Sequence, residues 1–112
     1  MVFAEVSFSE TLHCEYQKGQ VLSKSESENV KNSTPLKWTF NGLRTDKPMF
    51  ISGGDVKPVV AVEVNGGFSI YSPYASGAHS FTIWSSGESY WNKQSNLIGN
   101  IGSQQYIGTC TN

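Results

Sequence analysis

Apolar and polar residues alternate along most of this chain with a period of two. Leu12, Cys14 and Tyr16 share one parity, and His13 and Glu15 take the other. Leu36, Trp38 and Phe40 repeat the pattern, and Asn41-Gly42 ends it. Val59-Val60-Ala61-Val62-Glu63-Val64 is rich in β-branched residues, and Asn65-Gly66 stands between it and Phe68-Ser69-Ile70-Tyr71. Asn-Gly tolerates positive φ at both centres of a type I′ turn, so this stretch predicts a tight hairpin. A second hairpin is predicted by Phe81-Thr82-Ile83-Trp84, a turn over Ser85-Ser86-Gly87-Glu88, and Ser89-Tyr90-Trp91. Met49-Phe50-Ile51 predicts a short strand, and Gln104 to Cys110 the closing one. Val2, Ala4, Val6 and Phe8 alternate too and predict strand at the start.

No stretch repeats apolar residues at i, i+3, i+4 and i+7 over three turns, so no amphipathic helix is predicted. Strand signals at intervals of about 8–12 residues point to an all-β domain, a small antiparallel barrel or sandwich. Residues 23–34 carry almost nothing apolar and read as a polar mobile loop or the tip of a long hairpin. Leu97 to Gly102 is interrupted by glycines and stays ambiguous.

Composition narrows the picture. The 112 residues make one domain, 1–112. A net charge of −1 with only 15% charged residues argues against a nucleic-acid partner, which would call for a basic stripe. No apolar run has the roughly 18 residues of a membrane-spanning helix. The two cysteines, Cys14 and Cys110, lie near opposite ends. They are two buried thiols of a cytosolic protein, or a disulfide tying the first core strand to the last. Both share parity with inward-reading tyrosines, Tyr16 and Tyr106, and the surface composition is poor in charge and rich in Ser, Thr, Asn and Gly. The disulfide is the expectation, and with it a periplasmic or extracellular location, where such bonds persist. No signal peptide opens the chain, so a start at the mature end, with Met1 added, is expected.

Catalytic chemistry finds little support. His13-Cys14-Glu15 sets three ligand types in a row, but a zinc site needs three or four converging ligands and strand neighbours diverge. His79 with nearby serines allows a small hydrolase as a minor alternative, though no Gly-x-Ser-x-Gly elbow is present. Glu63 and Glu88 border hairpins with no spacing that marks a glycosidase pair. No catalytic residue, metal ligand or cofactor is therefore assigned. The informative set is aromatic and amide-rich. Tyr71, Tyr74, Trp84, Tyr90 and Trp91 lie in or beside the two hairpins, and Asn92, Gln94, Asn96, Gln104 and Gln105 follow. Aromatic faces edged with amides suit a glycan or a protein partner. Of the adjacent pair Tyr90 and Trp91, one is expected to face outward.

Ser86-Gly87-Glu88-Ser89-Tyr90 matches a Ser-Gly-x-x-Tyr pattern. It resembles that of the periplasmic C-type lysozyme inhibitors of bacteria, small eight-stranded barrels with a disulfide. Leu12-His13-Cys14 and Gly108-Thr109-Cys110 are similar to that layout. The family's second motif, an aromatic followed by Thr/Ser-Lys-Gly, is absent. The resemblance implies binding roles for Ser86, Gly87 and Tyr90, with Lys93 as basic partner. The expected function is that of an exported, non-enzymatic bacterial binding domain meeting a protein or glycan through its aromatic hairpin face. A lysozyme inhibitor and a structural module of a surface or virion assembly are the alternatives. Oligomeric state does not follow from the sequence.

Overall fold

A computed structural model describes residues 5–23, 27–97 and 100–112, with side chains described throughout these except within 21–35 and 96–101. The described residues form nine strands: β1 (Leu12–Ser23), β2 (Ser27–Asn41), β3 (Met49–Ser52), β4 (Asp55–Pro58), β5 (Val60–Val64), β6 (Gly67–Tyr74), β7 (Gly77–Trp84), β8 (Glu88–Leu97) and β9 (Asn100–Thr111). They hydrogen-bond in the order β4-β3-β2-β1-β9-β8-β7-β6-β5, every pair antiparallel. The result is a nearly closed all-β barrel. Only Val59 separates β4 from β5, so residues 55–64 form one bent segment whose first half pairs with β3 and whose second half pairs with β6. That bend brings the two ends of the sheet together.

Alternation works as the pattern predicts. Leu12, Cys14 and Tyr16 are buried and His13 and Glu15 exposed. Asn65 and Gly66 have φ of 24° and 81°, both positive, as a type I′ turn requires. The disulfide is present: Cys14 and Cys110 face each other across β1 and β9, with Cα atoms 4.0 Å apart.

One stretch differs from expectation, and another takes the second of its two expected forms. Residues 5–11 form no strand. This segment instead runs across one end of the barrel, where the Val6 amide donates to the Ser85 carbonyl at 2.9 Å and the Asn112 side chain bonds Ser7 in both directions. The residues alternate because Val6 and Phe8 plug the barrel end, a role that needs no neighbouring strand. The polar stretch at 23–34 is the end of a long hairpin, the second of the two forms expected, since Leu22 pairs with Ser27 and Lys18 with Lys31. Backbone pairing organises it where apolar patterning is missing. Residues 24–26, 98–99 and 1–4 lie outside the described residues.

Aromatic rings fill the interior. Trp91 stacks on Tyr106 with ring centroids 4.6 Å apart and on Phe81 at 6.0 Å, and Trp38 meets it edge-on at 5.0 Å. Such geometries add to the area term. Tyr16 shares a buried hydrogen bond of 2.7 Å with Ser89, which satisfies both hydroxyls. Burial pushes the Tyr16 phenol up to about 12. At the plugged end, Arg44 bridges to Glu63 at 3.0 Å while its guanidinium covers Phe8 and Phe68. It thereby links the β2–β3 connection to β5.

Candidate functional site

The turn between β7 and β8 and the outward face beyond it carry most of the singled-out residues. Trp84 and Tyr90 face out, 37% and 49% exposed, whereas Trp91 is core at 3%. The adjacent pair is thus split as strand geometry requires, with Tyr90 outside. Trp84 meets the Tyr90 ring edge-on at 5.1 Å and restrains it. Tyr71 stands out from β6, 48% exposed. Tyr74 is half-buried, and its hydroxyl donates to the Gln94 carbonyl at 2.7 Å. Ser86 is exposed in the turn. Gly87 is buried there with φ 92°; its amide donates to the Trp84 carbonyl and its carbonyl accepts from the Cys110 amide at 2.7 Å. A side chain at Gly87 would meet the Cys110 carbonyl oxygen, so the turn depends on glycine.

Lys93 belongs elsewhere. It sits opposite His79 and Gln104 on the inward face of β8, the face away from Tyr90. The Ser86–Tyr90 segment and Lys93 are therefore not brought together. Trp91 Nε1 donates to His79 Nδ1 at 3.0 Å. Since an indole nitrogen only donates, the His79 proton sits on Nε2. Burial, then the charges of Lys93 and Lys57, lower the His79 pKa to about 4. Among the described residues His79 has no hydrogen bond to a serine or carboxylate, and no three of His, Cys, Asp and Glu gather as metal ligands.

Residues not singled out from the sequence complete the outer face. In β1 the register shifts between Tyr16 and Lys18, leaving Gln17 without a partner. This bulge reverses the parity of the strand, so Lys18 and Gln20 point outward beside Tyr90 instead of inward like Tyr16. Two rows then cross the face in register. Tyr90, Ile107 and Lys18 form one, and Asn92, Gln105 and Gln20 the other. They surround a shallow depression of about 550 Å³. Of the amides noted in the sequence, Asn92 and Gln105 belong here, whereas Gln104 turns inward and accepts from the Tyr106 hydroxyl. Asn96 has no described side chain. No known family, curated protein or solved structure matches this chain. Chemistry alone therefore interprets the face: a half-exposed aromatic ring, three amides that both donate and accept, one aliphatic side chain and one ammonium. Among the described residues no helix is long and apolar enough to cross a membrane.

Proposed function

We propose that this protein is an exported, non-enzymatic binding domain that holds a glycan on the outer face of β8, β9 and β1. The single observation behind this reading is the Tyr90 ring, half exposed and braced by Trp84, bordering a depression with a row of three side-chain amides. A sugar presents an apolar ring face edged by hydroxyls, and an aromatic ring beside groups that both donate and accept matches both features. The platform sits on hydrogen-bonded strands, so little ordering opposes binding. The disulfide is consistent with the oxidising location of an exported protein.

The test is titration of the isotope-labelled protein with soluble oligosaccharides, followed by NMR. Amide shifts are expected around Tyr90, Asn92, Gln105 and Gln20. Tyr90→Ala is expected to weaken binding by about tenfold or more without moving the unfolding midpoint, since the side chain is outside the core. No shifts with any glycan would overturn the reading.

A second reading, inhibition of a lysozyme, is favoured by one feature. Ser86 and Tyr90 are both exposed while Gly87 pins the turn to β9, so the Ser-Gly-x-x-Tyr segment presents its two polar groups to a partner. A bacterial-cell turbidity assay with lysozyme decides it. Inhibition lost in Ser86→Ala and Tyr90→Ala would support this role, and absence of inhibition at micromolar protein would exclude it.

A further inference from the structure

A second depression lies further along β8 from the one at Tyr90. Tyr90, Asn92 and Gln94 point outward in succession. Gln94 belongs to a separate hollow of about 620 Å³ that Tyr71, Ser76, Ser95 and Ser103 also line. Its position follows from small side chains: Ala78 and Ser103 flank Gln94 in register on β7 and β9, leaving space that Tyr71 walls from β6. The second hollow repeats the chemistry of the first, with one half-exposed tyrosine, one amide, and hydroxyls in place of the other amides. Tyr71, Ser80 and Asn92 lie in one row across β6, β7 and β8. At about 4.8 Å between strands and 3.3 Å per residue, the two tyrosines stand about 12 Å apart. No described side chain larger than Ser80 or Thr82 stands between them on β7.

We infer that the face has two subsites and that its ligand is an extended oligosaccharide running obliquely across β8 and β7, one sugar against Tyr90 and another against Tyr71. This inference rests on the glycan reading above and sharpens it. Three amides at the first subsite each offer an N–H that can donate and a C=O that can accept. That pairing matches an acetamido group, so N-acetylated hexosamine units are the expected occupants. Linked subsites make the second contact intramolecular, which raises affinity without improving either contact.

The experiment compares N-acetylglucosamine with its β-linked dimer and tetramer by calorimetric or NMR titration, with the matching glucose oligomers as the non-acetylated arm. The proteins are the unaltered chain, Tyr71→Ala and Tyr90→Ala. The tetramer is expected to bind about tenfold more tightly than the monosaccharide. Tyr71→Ala should abolish most of that gain and remove the monosaccharide-induced shifts around Gln94 and Ser103, and Tyr90→Ala should weaken every oligomer. Glucose oligomers should bind more weakly at equal length. Equal affinity for monosaccharide and tetramer, or a Tyr71→Ala variant that keeps the length dependence, overturns the two-subsite inference and leaves the glycan reading standing. Glucose oligomers binding as tightly overturns the acetamido assignment. Failure of every oligomer to bind overturns the glycan reading itself. Both tyrosines are exposed, so neither substitution threatens the fold.

Discussion

His79 shares its strand parity with Phe81 and Ile83, and it is half-buried on the inward face of β7. Its ring lies 5.0 Å from Tyr74 and 5.7 Å from Trp91, and its Nδ1 is taken by the Trp91 indole. A second proton would have to displace that hydrogen bond, in a half-buried place near two lysines. The folded pKa of about 4 lies below the ordinary 6.5, so the unfolded chain binds the proton more readily between these values. Stability therefore declines as pH falls from about 6.5 to about 4, and this contribution is fully lost below the lower value. Urea unfolding at pH 7 and pH 4.5 is expected to show a smaller drop in His79→Gln than in the unaltered protein. An equal drop in both would assign the acid sensitivity to other groups. A contrast between residue type and residue surroundings separates Gln104 from Gln105. The two are neighbours of one kind, yet one accepts from the hydroxyl of a buried tyrosine and the other lines the outer depression beside Tyr90.

The bulge in β1 makes the largest difference between pattern and outcome. Up to Tyr16 the strand follows the parity of its apolar residues, and that half was readable. Beyond it, Gly19 replaces an inward side chain, and the space it leaves is filled by the Tyr106 ring from the opposite strand. A Cβ at Gly19 would collide with that ring and with the Gln105 carbonyl. Gly19→Ala is therefore expected to destabilise by about 1–3 kcal/mol, the usual cost of forcing extra volume into a packed site. On the proposed glycan reading it should also weaken that binding, because Lys18 and Gln20 flank Gly19. Gly54→Ala, where a Cβ meets nothing within 4 Å, is the control and should change stability by less than about 0.5 kcal/mol. Denaturant midpoints check both. The hairpin at Asn65-Gly66 was legible because its turn chemistry is local. The bulge was not, because an unpaired Gln17 is visible only against β9 and β2.

The whole barrel depends on contacts between the two ends of the chain. β1 and β9 pair along most of their length, and the 96-residue separation of Cys14 and Cys110 is closed by a bond between facing positions. In the chain-entropy account a loop of this size stabilises by about 4–5 kcal/mol. Reducing the disulfide, or replacing both cysteines with alanine, is expected to lower the unfolding free energy by an amount of this order. Urea titration with and without reductant measures it, and an unchanged midpoint would show that strand pairing alone sets the reference state. A second closure, the bend at Val59, has no covalent staple. There the Val59 amide donates to the Pro48 carbonyl at 3.1 Å, and further along β5 Glu63 pairs with Arg44 of the β2–β3 segment. Residues 5–11, which carry a strand-like alternation, cap the end beneath that bridge, and only the closed barrel gives Phe8 a cavity to fill.

Period-two alternation, Asn-Gly at a turn and two cysteines of inward parity were enough to establish an antiparallel β domain stapled between its first and last strands. These are local facts, or facts about which side of a strand a residue occupies, and both are written in the order of residues. The order could not say which aromatic rings become core. Trp84 and Trp91, Tyr71 and Tyr74, Gln104 and Gln105 differ by the faces that neighbouring strands present to them. Strand register, the Gln17 bulge and the curvature of the closing sheet join Tyr90 to Lys18 and Gln20 from the far end of the sequence. That assembly exists only once distant strands have paired, because backbone hydrogen bonds between them, and not propensities within them, choose the register.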